Sequence, residues 1–171
     1  EKIENVKGVL KFNNVNFKYP GSNENAIEGI DFTAEPGKTT AIIGSTGCGK
    51  STLVNLIPRL YDVTDGSITL DGHDIRNISM KDLRAQLGYV PQKGILFSGD
   101  IASNLRFGKE NATDEQIQEA AEIAQATEFI DTKPEKYKSP ISQGGSNVSG
   151  GQKQRLSIAR AIAKHPQVFI F

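Results

Sequence analysis

The octapeptide at residues 44–51 constrains the fold of this chain more than any other stretch. It reads Gly-Ser-Thr-Gly-Cys-Gly-Lys-Ser and matches the pattern G-x-x-x-x-G-K-[ST]. The β-branched run at 39–43 precedes it and predicts a buried parallel strand. Apolar residues at helical spacing over 51–60 predict a helix directly after it. A strand, a glycine-rich loop and a helix in this order predict a phosphate-binding loop.

Each residue type in this loop has a reason in phosphate chemistry. Glycines permit the backbone angles that aim successive N–H groups at one anion, and the helix adds its positive N-terminal end. Lys50 can reach the β- and γ-phosphates of a nucleotide, and the Ser51 hydroxyl can bind Mg²⁺. The alternative is a plain Gly/Ser turn before a helix, which the flanking strand and helix disfavour. The predicted nucleotide-binding residues are Gly44, Ser45, Thr46, Gly47, Cys48, Gly49, Lys50, Ser51 and Thr52.

The rest of the pattern predicts an α/β domain that begins with an antiparallel β portion. Nearly alternating apolar residues over 10–19, with a slip at Asn13-Asn14, predict a bulged strand, and 27–32 is its predicted partner. Further strands are predicted at 67–70, 89–90 and 168–171. Helices are predicted at 79–87, 100–107, 114–126 and 149–164, with caps formed by Ser79 with Asp82 and Thr113 with Gln116.

The whole of 1–171 is expected to form part of a single domain. The β portion and the phosphate loop would occupy 1–78, a helical subdomain 79–148, and a last helix and strand 149–171. Lys and Arg together number 20 and balance 20 Asp and Glu, so composition supplies no nucleic-acid patch. The one cysteine excludes an internal disulfide, and no apolar run approaches the ~20 residues of a membrane helix. Any membrane part is therefore expected outside this chain.

A second glycine-containing motif opens the predicted helix at 149–164. Ser149 and Gln152 have the S-x-x-Q spacing of a capping box, with Gly150 and Gly151 between them. One interpretation is a well-capped helix with two permissive glycines. The other is that the paired glycines let a phosphate approach the positive end of the helix. The motif alone leaves both open.

Taken together, the two motifs resemble the nucleotide-binding domain of ABC transporters, in which a Ser-Gly-Gly-Gln signature follows the phosphate loop by about a hundred residues. The resemblance covers essentially the whole chain, and residues 95–101 are similar to the exporter branch of multidrug or lipid exporters. It implies a P-loop NTPase core of the ABC ATPase type that uses ATP and Mg²⁺. It also implies that the phosphate loop of one subunit faces the signature of another. The partners would be a second nucleotide-binding domain, in a homodimer or heterodimer, and the transmembrane domain of the exporter. The chain itself would lie at the cytoplasmic face of the membrane.

Two further residues gain a role only through this resemblance. Tyr19 occupies the place of the aromatic residue that stacks on adenine, and Gln92 matches the glutamine that touches Mg²⁺ and the attacking water. Without the resemblance, Tyr19 would be an ordinary strand aromatic and Gln92 a polar residue after a proline. The implied catalytic residues are Lys50 and Gln92, and the implied metal ligands are Ser51 and Gln92. Gln143 stands near the place where exporters commonly have an acidic residue, which leaves the coupling chemistry and a heterodimer open.

The last residues, 168–171, resemble the strand that leads into the Walker B aspartate of this family. Because the acidic groups that follow are not in the chain, we expect it to bind nucleotide weakly on its own and to hydrolyse it negligibly. Three other functions predict different sequence features. A non-transport ABC ATPase would show a coiled coil or a duplicated domain, and a P-loop kinase or GTPase would lack the Ser-Gly-Gly-Gln helix. An ATP-gated dimerisation module without hydrolysis differs only in residues after Phe171.

Overall fold

A computed structural model describes residues 3–171 and divides the chain into two compact units. The N-terminal unit ends at Leu87, and the C-terminal unit comprises Gly88–Phe171. The first contains an antiparallel sheet and the phosphate-loop motif, and the second contains four of the α-helices. This mixed content confirms the predicted α/β fold class.

A four-stranded antiparallel sheet organises the N-terminal unit, in the order β2-β1-β3-β4. Its strands are β1 (Leu10–Phe17), β2 (Ile27–Ala34), β3 (Asp65–Leu70) and β4 (His73–Asp74). Because successive side chains of a strand point to opposite faces, near-alternation along β1 directs its apolar residues to one face. The buried positions of β1 are Leu10, Phe12, Val15 and Phe17.

The slip in the alternation of β1 is a β-bulge. Phe12 pairs with Phe32, and the next aligned pair joins Val15 to Ile30, so β1 has one residue more than β2 between these pairs. Asn14 lies in this interval and adopts the left-handed conformation, with φ of 44°. The predicted bulge is confirmed.

The predicted parallel strand at 39–43 is wrong in this structure. Among the described residues this segment belongs to no strand, and the Ile43 side chain is 93% exposed. A β-branched run reports local preference, whereas a strand forms only where neighbouring strands exchange backbone hydrogen bonds with it. The sequence showed the strand preference of residues 39–43, but it could not show whether neighbouring strands would pair with them.

The helix after the phosphate loop, α1 (Lys50–Leu56), is shorter than the predicted 51–60. Pro58 has no N–H group and cannot continue the hydrogen-bond pattern of a helix. The N–H groups of Ile57 and Arg59 bond to carbonyls three residues earlier, at 3.3 and 3.2 Å. Arg59 then adopts a φ of 53°, so the chain leaves α1 through a tight turn.

A second helix of the N-terminal unit, α2 (Met80–Ala85), starts at the predicted cap. The Ser79 hydroxyl accepts a hydrogen bond from the Asp82 N–H at 3.1 Å. The helix ends at Ala85 rather than at the predicted 87, because Leu87 already begins β5 (Leu87–Tyr89). The cap is confirmed and only the end differs.

The C-terminal unit is a helical layer packed around one core. Its helices are α3 (Ile101–Arg106), α4 (Asp114–Ile123), α5 (Thr127–Asp131) and α6 (Gly150–Ala163). Two short strands, β6 (Gly99–Asp100) and β7 (Pro140–Ile141), pair antiparallel. Another strand, β8 (Val168–Ile170), lies beside β5, and there the Val90 N–H donates to the Ile170 carbonyl at 2.8 Å. The fully buried core residues include Ile101, Leu105, Ile117, Ile130, Leu156 and Ala159.

The cap predicted for α4 is also confirmed. The Thr113 hydroxyl accepts from the Gln116 N–H, and the Gln116 side chain accepts from the Thr113 N–H. α4 ends at Ile123, three residues before the predicted 126, because Gln125 adopts a φ of 57° that a helix cannot accommodate. None of the helices within 3–171 is both long and apolar enough to cross a lipid bilayer.

Candidate functional site

Residues 44–49 form a loop that leads into α1. The Cys48 N–H donates to the Ser45 carbonyl at 3.3 Å and closes a turn inside the loop. Gly49, just before α1, has a φ of 93°, a conformation that side chains rarely adopt. A methyl group there would also lie 2.9 Å from the carbonyl oxygen of Ala26. The entry into α1 therefore requires glycine for two independent reasons.

The Lys50 ammonium lies inside this loop. Its Nζ donates to the carbonyl oxygens of Gly44 at 2.6 Å and Ser45 at 2.7 Å, and it lies 3.6 Å from Cys48 Sγ. A methyl group at Gly44 would lie only 2.4 Å from that sulfur, so the loop closes tightly there. Because both oxygen partners of the ammonium are neutral, they do not cancel its charge, and the loop can attract an anion.

Ser51 and Thr52 occupy the first turn of α1. Ser51 is exposed, so an incoming ligand can reach its hydroxyl. The Thr52 hydroxyl lies 2.8 Å from the hydroxyl of Tyr19, within hydrogen-bond distance. Tyr19 follows β1 by two residues and is 36% exposed. The structure thus brings the predicted base-stacking residue to the helix that carries the phosphate loop.

Tyr19 belongs to an aromatic cluster formed by Phe17, Tyr19 and Tyr61. The Tyr19 ring centroid lies 4.8 Å from that of Phe17 and 5.3 Å from that of Tyr61, both in edge-to-face geometry. Phe17 and Tyr61 are 5.4 Å apart, so each ring contacts the other two. Sequence reasoning missed Tyr61, which lies beyond the predicted helix in no recognised motif. The available signal was an aromatic residue in the exposed stretch after Pro58.

The second motif is a reciprocal cap at the start of α6. The Ser149 hydroxyl accepts from the Gln152 N–H at 3.2 Å, and the Gln152 side-chain oxygen accepts from the Ser149 N–H at 3.0 Å. The predicted capping box is confirmed. Gly150 and Gly151 are exposed, and a methyl group on either would meet nothing within 4 Å. Packing within the chain therefore gives no reason for these two glycines.

Gln92 lies exposed on a loop that α6 holds in place. A methyl group at Gly94, two residues further on, would lie 2.8 Å from Ser157 Oγ and 2.9 Å from the Lys153 carbonyl. The loop therefore runs against the surface of α6, and a side chain at Gly94 would push it away. The structure places Gln92 beside a fixed anchor point and leaves its amide accessible.

Arg160 of α6 provides the second anchor of this loop. Its guanidinium donates through Nη1 to the Ile95 carbonyl at 2.9 Å, and through Nε to the Asn104 carbonyl and Nη2 to the Asn104 side chain, both at 2.8 Å. It also lies over the rings of Phe97 and Phe107, 5.2 and 5.6 Å from their centroids. Burial lowers the pKa of Arg160 from its ordinary value. Sequence reasoning missed Arg160, which lies in the predicted helix at 149–164 but in no recognised motif.

The predicted site residues fall into two groups. Tyr19 and the phosphate loop belong to the N-terminal unit, and Gln92 and the capped start of α6 belong to the C-terminal unit. Among residues 3–171, no three His, Cys, Asp or Glu side chains form a metal-binding group. The predicted Mg²⁺ ligands are instead a hydroxyl and an amide oxygen, which suit a hard cation.

A lysine held inside a glycine-rich loop at the start of a helix, with a second capped glycine motif, defines a P-loop nucleotide-binding domain. A sequence profile of the family described as ABC transporter matches residues 27–171. The chain belongs to this family, and its relatives place it among the exporter-type nucleotide-binding domains. The resemblance stated from the sequence is confirmed, and a P-loop kinase or GTPase is excluded.

The relatives come from distant organisms. The chain is 45% identical over 170 residues to ABC transporter B family member 4 of Dictyostelium discoideum, covering 99% of this chain and 22% of that protein. It is 43% identical over 174 residues to multidrug resistance protein 1 of Entamoeba histolytica, covering 99% and 13%. It is 45% identical over 167 residues to the uncharacterized ABC transporter ATP-binding protein YfiB of Bacillus subtilis, covering 98% and 29%.

A solved structure shows the same fold. A bacterial Atm1-family ABC exporter with ATP bound superposes with a TM-score of 0.90 at 34% identity, covering 99% of this chain and 30% of the exporter chain. The chain spans between 13% and 29% of the length of the three relatives above.

Proposed function

We propose that this chain is the ATP-binding domain of an ABC exporter that couples ATP binding and hydrolysis to transport across a membrane. The observation that carries the proposal is the Lys50 ammonium, held by the carbonyls of Gly44 and Ser45 inside a glycine-rich loop. A triphosphate that entered this loop would meet backbone N–H groups and one positive charge.

Tyr19 would bind the base of the nucleotide. Its ring is partly exposed and lies beside α1. Its hydroxyl shares a hydrogen bond with the hydroxyl of Thr52 in that helix. A planar base stacks on an aromatic ring without requiring specific hydrogen bonds. Tyr19 and Lys50 would thus hold the two ends of one nucleotide, both from the N-terminal unit.

Ser51 of the N-terminal unit and Gln92 of the C-terminal unit are each a proposed Mg²⁺ ligand. The Ser51 hydroxyl is exposed on the first turn of α1, next to Lys50, and offers the oxygen ligand that Mg²⁺ prefers. When bound, the ion neutralises negative charge on the phosphates. Gln92 would orient the attacking water through its amide, which the contacts of its loop with α6 leave accessible.

The start of α6 would face the nucleotide of a second nucleotide-binding domain. Gly150 and Gly151 are exposed and unpacked, so their backbone can be approached closely by a phosphate. A second domain of this kind and a transmembrane domain would be the partners, with the chain on the cytoplasmic side. The relatives named as multidrug resistance and B family transporters support this arrangement.

The test measures MgATP hydrolysis by the intact membrane protein that carries this chain, reconstituted in lipid. Lys50→Ala should lower phosphate release by about a hundredfold or more, because it removes the charge aimed at the phosphates. Lys38→Ala is the matched control, since Lys38 is exposed and paired with Glu35. Equal rates for the two variants would contradict the proposal. Nucleotide binding without any hydrolysis would instead identify an ATP-gated dimerisation module.

A further variant tests the partner-facing role of α6. Gly151→Ala meets no neighbouring atom, so we expect the fold to be kept and the hydrolysis rate to fall. A variant that melts like the parent and hydrolyses ATP at the parental rate would remove the assigned role from this glycine.

A further inference from the structure

The ring of Tyr61 lies against Tyr19. We propose that Tyr61 is a positioning residue for the nucleotide, which holds the Tyr19 ring in the orientation that receives the base. The inference rests on the function proposed above for the phosphate loop. It gives Tyr61 no contact with the reacting atoms, and it explains why an exposed aromatic residue follows α1.

Three contacts fix the Tyr19 side chain. The Tyr61 ring meets it at an interplanar angle of 86°, and the Phe17 ring at 79°. The hydroxyl is held at the far end of the ring by Thr52, at 2.8 Å. Two edge-to-face partners and one hydroxyl anchor restrict both rotation and tilt. Since Tyr19 is still 36% exposed, part of the ring remains accessible to a planar ligand.

Tyr61 is itself held on a rigid support. Arg59 and Asp62 flank it and form a two-pronged ion pair, with Nε to Oδ1 at 2.8 Å and Nη2 to Oδ2 at 3.1 Å. Arg59 Nη1 also donates to the carbonyls of Ile75 and Arg76, both at 3.2 Å. Arg59 therefore connects the segment around Tyr61 to the short helical turn after β4, and Asp62 is connected to that turn through Arg59.

The turn before Tyr61 is fixed from a second direction. Arg84 of α2 donates through Nε to the Pro58 carbonyl at 3.0 Å, and through Nη2 to the Arg59 carbonyl at 3.3 Å. Two arginines thus hold the four residues that connect α1 to Tyr61. Because this turn is fixed, the Tyr61 ring keeps its position and can hold the Tyr19 ring that it contacts.

This support matters because Tyr19 stands beyond the end of β1, where strand pairing no longer orders the chain. A side chain that rotates freely in the unbound protein must be immobilised on binding, and that ordering weakens affinity. Loss of the Tyr61 ring should free Tyr19 while leaving the contacts of Lys50 unchanged. If Tyr61 has a positioning role, loss of its ring should lower the affinity only for ligands that contain a base.

The experiment compares two probes, MgATP and magnesium tripolyphosphate, on the whole chain. Binding is followed by the amide resonances of residues 44–51, which report weak affinities. Tyr61→Leu should weaken MgATP binding by about three- to tenfold and leave tripolyphosphate binding unchanged. Tyr61→Phe keeps the ring and should bind both like the parent. Equal effects of Tyr61→Leu on the two probes, or no effect on MgATP, would overturn the inference.

A double variant separates positioning from direct contact with the base. If Tyr61 acts through Tyr19, Tyr61→Leu should cause no further loss of MgATP affinity in a chain that already carries Tyr19→Ala. A loss that adds to that of Tyr19→Ala would mean that Tyr61 touches the base itself, and the inference would be wrong. Failure of the parent chain to bind either probe would instead refute the proposed function, and this inference with it.

A fluorescence measurement tests the support without nucleotide. The chain contains no tryptophan, so Tyr19→Trp introduces a single reporter. In that background, Tyr61→Leu should lower the anisotropy of the tryptophan and raise its quenching by acrylamide, while Tyr61→Phe leaves both unchanged. Identical values for the three chains would show that Tyr61 does not hold the ring at position 19.

Discussion

The glycines of the phosphate loop are explained at the scale of single residues. Gly44 and Gly49 stand where a methyl group would meet Cys48 Sγ at 2.4 Å and the Ala26 carbonyl at 2.9 Å. Gly150 and Gly151 stand where it would meet nothing. Gly49 is required by the fold of the chain alone, whereas a methyl group at Gly44 would require the Cys48 side chain to rotate away. The second pair is free of that requirement, which is why we assign it to an outside ligand.

Gly49→Ala should lower the free energy of unfolding by about 1–3 kcal/mol more than Gly37→Ala. Both positions have positive φ, 93° and 72°, so both variants carry backbone strain. Only the alanine at 49 also collides with a carbonyl oxygen, because Gly37 faces open space. Urea unfolding of the two variants measures the difference. Equal losses would show that the loop moves away from Ala26 at little cost.

Residue roles were predictable from the sequence where spacing carries the chemistry. The loop residues and Ser149 with Gln152 follow fixed patterns, and the structure confirms the reciprocal cap that Ser149 and Gln152 form. Tyr61 and Arg160 act through partners distant in sequence, such as Tyr19 and Ile95. No pattern in one chain reports such contacts, so sequence reasoning missed both.

At the scale of elements, helices were predicted better than strands. Ser79, Thr113 and Ser149 cap α2, α4 and α6 as expected, because a cap depends only on residues within one turn. Segment 39–43 has strand-like residues but no strand, because pairing depends on distant segments. The predicted ends of helices differ from the observed ones, because a helix end depends on single residues with positive φ such as Gln125.

Arg160→Met should lower the free energy of unfolding by about 2–3 kcal/mol more than Arg155→Met. Both changes remove one arginine from α6, but Arg155 is exposed, whereas Arg160 satisfies two carbonyls and the Asn104 side chain. The methionine would leave these acceptors without their donor. The helical circular dichroism signal during urea unfolding measures the effect. Equal stabilities would contradict the anchoring role given to Arg160.

At the scale of the whole molecule, each of the two units carries its own group of the predicted site residues. The N-terminal unit offers a phosphate loop and an aromatic residue for the base, and the C-terminal unit offers Gln92 and the exposed start of α6. Charge balance could exclude a general attraction to anions, since Lys and Arg number 20 against 20 Asp and Glu. Any anion binding must therefore be local, and the loop at residues 44–52 is the proposed binding site.

The most direct test of that claim is a titration of the isotopically labelled chain with MgATP, followed by NMR. The amides of residues 44–52 and the ring resonances of Tyr19 should shift saturably, and Lys50→Ala should abolish these shifts. Lys38→Ala should leave them unchanged. The account is contradicted if the loop resonances do not respond to MgATP, or if they respond equally in the Lys50→Ala chain.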